Sequence, residues 1–552
     1  MKKITLFLFS LVTSVMVIKA NNVAVNNATL TGQVTASQYT IVQFDVSWEN
    51  SWRLSAGPKN WDAVWVFIKY QVFGQEWKHA TLSTNSTHHS VATDNGIAAT
   101  ITPATDGKGV MMYRTNTGTG NINWQSVRLR WNYGTDAVGN TDQVTIKVFA
   151  IEMVDIPQGP FFIGDGTVGN NSFRDGLGYP FRISGETAIT FQATSGSSVS
   201  QPADPNWSGG YTLASAYPKG FQEFYVMKYE ITQAQFMEFF NTLPNNKVLK
   251  DNKNITGISY RNSLTWSGLA NDGMASGGDR ACNGLNYSDL CAYADWSAMR
   301  PMTELEYEKA SRGCDNTGTP TPIFPVANEY AWGNTTISNG TSSNTYSWRG
   351  LARVYNTSCG TVSFLSNDGT SSENLAGGCN TNSNCSQLTQ GLGNAPINCN
   401  IGISYSDDGT FSGPVRVGIF AAKNCGSLQR ERSGASYYGV MELSGNVAEI
   451  LIQTKRNINS TSSSNQFSGT HGDGTLSSAG YATNTDWYDN ANGTVDVVPG
   501  LAGQPCGLRG GSFQESSNTA RTSDRSSIGT SSTPSNCDVR SIRNGGRLVR
   551  IP

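Results

Sequence analysis

The chain has 552 residues, a formal net charge of −2 at pH 7 and only 14% Asp, Glu, Lys and Arg. So small a charge leaves no basic surface able to neutralise a run of phosphates, which excludes nucleic acid as a partner. At about 100–200 residues per domain the length predicts two to four domains. Gly, Asn, Ser and Thr abound while Lys and Glu are sparse, a composition suited to a loop-rich extracellular surface.

Residues 1–20 read as a secretory signal: Lys2 and Lys3, an apolar run from Ile4 to Ile18, then Ala20 at the cleavage point. The run is shorter than the ~20 apolar residues of a bilayer anchor. No cysteine stands at the junction to carry a lipid, and no later stretch is apolar enough to span a membrane. The mature chain is therefore expected outside the cytoplasm, secreted or held in the periplasm or at the cell surface.

Residues 21–152 read as an all-β sandwich. Val42, Phe44, Val46 and Trp48 alternate with Gln43, Asp45 and Ser47, so one set faces a core and the other solvent. Ala63 to Tyr70 is almost continuously apolar, the pattern of an inner strand. Val127, Leu129 and Trp131 alternate with Arg128 and Arg130. Val144, Ile146, Val148 and Ala150 alternate less cleanly with Thr145, Lys147 and Phe149. Trp48, Trp52, Trp61, Trp65 and Trp77 lie within or beside these runs, so core packing accounts for them better than a carbohydrate-stacking platform.

A second domain, residues 153–552, follows with little room for a flexible linker. Thr232 and Gln235 form a capping-box pattern before Phe236, Phe239, Phe240 and Leu243, which recur on one helical face. A further helix is predicted over 288–298, with Leu290, Tyr293, Ala294 and Ser297 inward. Long loops rich in Asn, Ser, Thr and Gly are expected at 335–412 and 455–500. All ten cysteines lie in the second half, an even count that reads as disulfides in an exported chain. Cys359, Cys379, Cys385 and Cys399 fall in the first loop, where local disulfides would lower its entropy. With no CxxC pair and only four histidines, a zinc site has no support, and the histidines read as surface or loop residues.

Five segments of this domain stand in a specific order: 153–164 (MVDIPQGPFFIG), 224–236 (FYVMKYEITQAQF), 300–310 (RPMTELEYEKA), 437–449 (YYGVMELSGNVAE), and 508–513 (LRGGSF) with 546–550 (GRLVR). Together they resemble the formylglycine-generating enzyme, or sulfatase-modifying-factor, family. The resemblance implies an α+β, loop-rich, C-type-lectin-like domain behind the β-sandwich. Read by themselves, Glu304, Glu306 and Glu308 suit the positive end of a helix after Pro301 and Thr303, as caps and surface charge. Gly510 and Gly511 permit a tight bend. Arg509 reads as a structural bridge to carbonyls or a carboxylate.

Members of that family hold copper with two cysteines and oxidise a substrate thiol with oxygen. Thiolates are the soft donors Cu(I) needs. In the family motif the cysteines fall on the third and eighth residues after the serine matching Ser512; here those positions are Glu515 and Ala520. Copper is not expected, and Cys506 and Cys537, which flank the motif, are expected to form a structural disulfide. The related sulfoxide synthases use a histidine-held iron, for which this chain has too few histidines. Gly445 to Glu449 matches a segment that binds calcium in relatives, where Asn446, the Val447 carbonyl and Glu449 would be the oxygen ligands. The alternative is a buried turn with Glu449 paired to an arginine, and the sequence leaves both open.

The resulting expectation is a secreted or cell-surface binding or assembly protein on a non-catalytic enzyme scaffold, its ligand an extracellular protein or glycan. The candidate ligand-binding residues are Glu515, Ser516, Asn518, Arg521 and Asp524. Two alternatives are an oxidoreductase of the formylglycine type with a relocated metal site, and a diversified recognition protein whose variable segment would be 514–545.

Overall fold

The computed structural model describes residues 23–192, 200–207, 209–269, 271–315, 324–335, 413–418, 430, 433–454, 467–487, 506–529 and 536–552, and four short strands between 354 and 375. The predicted export signal, most of the two predicted long loops, and Cys359, Cys379, Cys385, Cys399 and Cys425 lie outside the described residues.

Nine strands fill the first part: β1 (Ala24–Val34), β2 (Tyr39–Arg53), β3 (Asp62–Val72), β4 (Trp77–His79), β5 (Ser90–Thr93), β6 (Ala99–Pro103), β7 (Val110–Arg114), β8 (Gly118–Trp131) and β9 (Val144–Ile156). One antiparallel sheet has the order β1-β2-β8-β5. The other does not stop at the end of this region. With β10 (Phe224–Met227), β11 (Arg300–Pro301) and β14 (Leu548–Arg550) it runs β11-β14-β10-β9-β3-β7-β6, and β4 joins β3 to make eight strands. Strand β9 pairs with β3 from Val144 opposite Val72 to Val154 opposite Asp62, and its end pairs with β10 from Met153 opposite Met227 to Ile156 opposite Phe224. Residue 152 and residue 153 are thus neighbours inside one continuous strand.

The alternation of β3 explains why this sheet sits in the middle. Val64, Val66, Ile68 and Tyr70 pack against Val42, Phe44, Val46, Trp48, Val127 and Leu129 of the first sheet. Ala63, Trp65 and Phe67 point the other way, into a core with Phe149, Ile151, Phe236, Phe239 and Trp296. A strand buried on both faces has no polar positions to spare, hence its continuous apolar run. Phe149, expected on the polar side of its strand, is buried for the same reason: helices cover that face. Trp48 and Trp65 are sealed in the core, and Trp48 meets Trp124 edge-on at 5.2 Å.

Helix α1 (Gln233–Thr242) begins at the Thr232–Gln235 capping box, with both reciprocal hydrogen bonds formed. Helix α2 (Tyr287–Trp296) is buried all round, and its box is Asn286 with Asp289. Helix α3 (Glu304–Arg312) starts at Thr303, whose box partner is Glu306. The capping expectation for α3 holds, but the surface-charge expectation does not: Glu304 and Glu308 are 0% exposed and Glu306 is 1% exposed. Each carboxylate meets a guanidinium, Arg300 on Glu306 at 2.6 Å and Arg509 on Glu304 and Glu308 at 3.2 and 2.7 Å. Two histidines also depart from the surface reading. His79 and His89 are buried because a backbone carbonyl serves each ring, Lys108 at 2.6 Å and Ser83 at 2.8 Å.

Candidate functional site

Strand β13 (Cys506–Arg509) pairs with β12 (Ala448–Ile452) and leads into Gly510 and Gly511, both in the left-handed region at φ of 80° and 66°. A Cβ on Gly510 would lie 2.7 Å from the Leu443 carbonyl, and one on Gly511 would lie 2.8 Å from Thr519 Oγ1. Glycine therefore lets three segments converge at this bend: 442–447, 510–513 and 519–520. The Phe513 N–H donates to the Asn446 carbonyl at 2.8 Å, and the Phe513 ring tilts against Tyr260 with centroids 6.1 Å apart.

Beyond the bend the chain folds as successive turns, closed by N–H donation from Glu515 to Ser512, Thr519 to Ser516, Arg521 to Asn518 and Asp524 to Arg521. Its inner side is fastened at each end. Ser444 Oγ donates to the Ala520 carbonyl at 2.7 Å, Arg509 donates to the Thr522 carbonyl at 2.6 Å, and Arg312 donates to Ser523 Oγ at 2.6 Å. Arg525 forks between Asp204 and Glu304, and its guanidinium stacks 3.6 Å over the Phe173 ring. The bridging role read for Arg509 is what its contacts show. Neither Asp204 nor Arg525 carries a local sequence signal, because they stand 321 positions apart.

Of the candidate ligand residues, Glu515, Ser516, Asn518 and Arg521 lie along the accessible side of these turns, with Asn518 the most exposed among them. Asp524 does not join them. It is 4% exposed and turns inward, where it accepts from the N–H and Oγ of Ser526 at 3.0 and 2.5 Å. Burial raises its carboxyl above the usual range.

The two family cysteine positions are now concrete. Glu515 is half-buried and faces Arg543 at 3.3 Å, while Ala520 is fully buried. A carboxylate held by a guanidinium and a buried methyl group supply no soft donor, so these residues do not fit copper. Cys506 and Cys537, the cysteines on either side, are joined in a disulfide, as the sequence predicts.

The segment expected to offer calcium ligands is held by hydrogen bonds on part of its polar groups. Asn446 Oδ1 accepts from the Val415 N–H at 2.9 Å, and its amide donates to Glu230 at 2.6 Å. Glu230 also accepts from the Val447 N–H at 3.0 Å. Glu449 Oε1 accepts from Arg547 at 2.5 Å, inside a site with no exposed surface. These are the contacts of a buried turn with Glu449 paired to an arginine, and Glu449 Oε2 has no hydrogen-bond partner. Among the described residues no three His, Cys, Asp or Glu side chains are grouped as a metal site. Glu230 and Arg547 belong to segments 224–236 and 546–550, yet sequence reasoning did not single them out. Burial raises the Glu230 carboxyl well above its ordinary range, with the neighbouring Glu449 adding to it.

A model of the sulfatase-modifying factor enzyme 1-like domain matches residues 152–545. No curated protein is close enough to the chain to count as a match.

Proposed function

The chain belongs to the sulfatase-modifying factor family, and from that premise we propose that it is an exported binding or assembly module built on a non-catalytic member of the fold. The observation that carries this reading is the chemistry at positions 515 and 520: an ion-paired glutamate and a buried alanine stand where thiolates are required. A thiol oxidase without thiolate ligands has no means of holding its metal, whereas the frame around the site is intact. The C-type-lectin-like domain is the finer fold reading that goes with it, preceded by a β-sandwich that shares its central sheet.

The turns from 515 to 521 suit recognition of an extracellular protein or glycan. They present amide, hydroxyl and both signs of charge on a backbone fixed from beneath by buried ion pairs, so little order has to be gained on binding. Export into an oxidising compartment is supported by the Cys506–Cys537 disulfide and by the signal-like pattern of residues 1–20.

The test uses the mature protein from an oxidising host. Metal analysis, thiol counting and an aerobic assay with a cysteine-containing peptide are expected to show no stoichiometric copper and no conversion. Glycan and peptide arrays are expected to yield a ligand whose binding falls in Asn518→Ala and Glu515→Ala. The second substitution breaks a half-exposed pair worth under about 1 kcal/mol, so the fold survives it. Stoichiometric copper with peptide conversion would instead establish an oxidoreductase with a relocated site.

A further inference from the structure

Asp155, on the shared strand β9, is 0% exposed, and neither of its carboxylate oxygens receives a hydrogen bond. That is costly for an ionised carboxylate. None of the donors around it makes a hydrogen bond to it. Trp61 and Tyr225 flank it on the two neighbouring strands, but the Trp61 indole N–H goes to Tyr225 Oη at 3.1 Å. The Asn60 amide donates to the backbone carbonyls of Asp155 and Tyr438 at 3.2 and 2.7 Å. Lys309 is spent on the carbonyls of Gly220 and Phe221 at 2.5 and 3.3 Å. Arg53 donates to the Arg114 carbonyl at 2.9 Å and lies 4.3 Å over the Trp61 ring.

The side chain in hydrogen-bonding reach of Asp155 is itself a carboxyl, Glu223. Sheet geometry places it there independently. Tyr225 stands directly opposite Asp155, and Glu223 lies two residues before it, immediately ahead of β10, at the offset that continues the strand's alternation onto the same face. Two acceptors in contact, with no donor between them, are satisfied only when one carries a proton.

We propose that Asp155 and Glu223 share one proton, forming a pH-sensitive latch at the seam where the N-terminal sheets join the family domain. The protonated Asp155 carboxyl donates to the half-buried Glu223 carboxylate. Burial raises the Asp155 carboxyl well above its ordinary range, and Glu223 raises it further; Lys309 and Arg53 oppose them more weakly. Tyr225 and Tyr438, the latter beside Cys314, also stand near Asp155, with Tyr113 beside Tyr225 and Glu186 beside Lys309, and burial holds the Tyr225 and Tyr438 phenols well above their usual range. When the proton leaves, two negative charges face each other inside a sheet continuous through both parts of the chain. Rising pH loosens the seam, and a more acidic medium tightens it.

Hydrogen exchange on the full mature protein between pH 5 and 8 reads this directly at the amides of 60–62 and 150–156. Opening of these amides in the wild type, divided by opening in Asp155→Asn, is expected to rise with pH by up to about tenfold per unit, the limit for one proton. The carboxamide introduced by Asp155→Asn donates permanently to Glu223, so the variant lacks this proton linkage. Should that variant fold poorly, Glu223→Gln gives Asp155 a permanent donor and is expected to flatten the profile too. Amides of β2 and β8 serve as the distant control and are expected not to follow the ratio. Identical pH slopes in wild type and both variants would overturn the proposal. So would divalent cations that protect the wild-type seam at pH 8 but not the Asp155→Asn seam, which would make the pair a metal site.

Discussion

Arg547 Nε donates to Glu449 Oε1 at 2.5 Å, and neither side chain has any exposed surface. The guanidinium also donates to the carbonyls of Met227 and Lys228, so it ties the C-terminal segment to β10 as well as to β12.

Removing one partner of such a pair strands a charge in low dielectric. Arg547→Met is expected to cost about 3–5 kcal/mol, and Glu449→Leu combined with Arg547→Met less than the sum of the two single losses. Chemical denaturation measures both. The same assay addresses the calcium question: the wild-type midpoint is expected not to move with added calcium or chelator. A calcium-dependent wild-type midpoint would show that Asn446, Val447 and Glu449 are ligands after all.

Arg525 links Asp204 to Glu304, with all three side chains fully buried. Arg525→Met is expected to destabilise the fold by about 3–5 kcal/mol. Arg525→Lys keeps the charge without the planar fork that spans two carboxylates, and an intermediate loss is expected. Limited proteolysis within 514–529 should rise in the same order, because this arginine fastens the turns of the candidate site.

The Cys506–Cys537 disulfide closes a loop with a sequence separation of 31. In the chain-entropy account a loop of that size stabilises by about 3–4 kcal/mol. The Cys506→Ala, Cys537→Ala double variant should therefore melt well below the wild type, with a midpoint insensitive to any reductant effect on this bridge.

Glu442 is buried, with one oxygen accepting from the Gly418 N–H at 2.9 Å and the other without a partner. Burial pushes its carboxyl up to about 7, against the opposing pull of Arg547. In the unfolded chain a glutamate titrates near about 4.3, so folding takes up a proton between those values. Its contribution is complete below the unfolded pKa and is lost as pH rises through the folded one. Glu442→Gln retains the oxygen that serves Gly418. The variant is expected to be the more stable protein at pH 8, by on the order of 3 kcal/mol at most. Denaturation midpoints at pH 5 and pH 8 test this.

Local rules read much of this chain correctly. The alternation of Val42, Phe44, Val46 and Trp48 marks a buried face, the apolar run from Ala63 to Tyr70 marks an inner strand, and the Thr232–Gln235 pair marks the start of a helix. Ordered segments spread from 153 to 550 identify the family, and the matched region spans 152–545. The residues at 515 and 520 can be read directly from the chain as a glutamate and an alanine, neither of which offers a soft donor.

Tertiary structure alone decided which charged residues lie inside. Glu304 and Glu308 look like a solvated helix start until Arg509, 205 and 201 positions away, arrives to neutralise them. Asp155 looks like an ordinary polar residue until the sheet closes over it and leaves both its carboxylate oxygens without a donor. Periodicity reports which face of an element is apolar, a property of a few neighbouring residues. Whether a charge can be buried depends on a partner delivered from elsewhere in the chain, and only the fold sets that encounter.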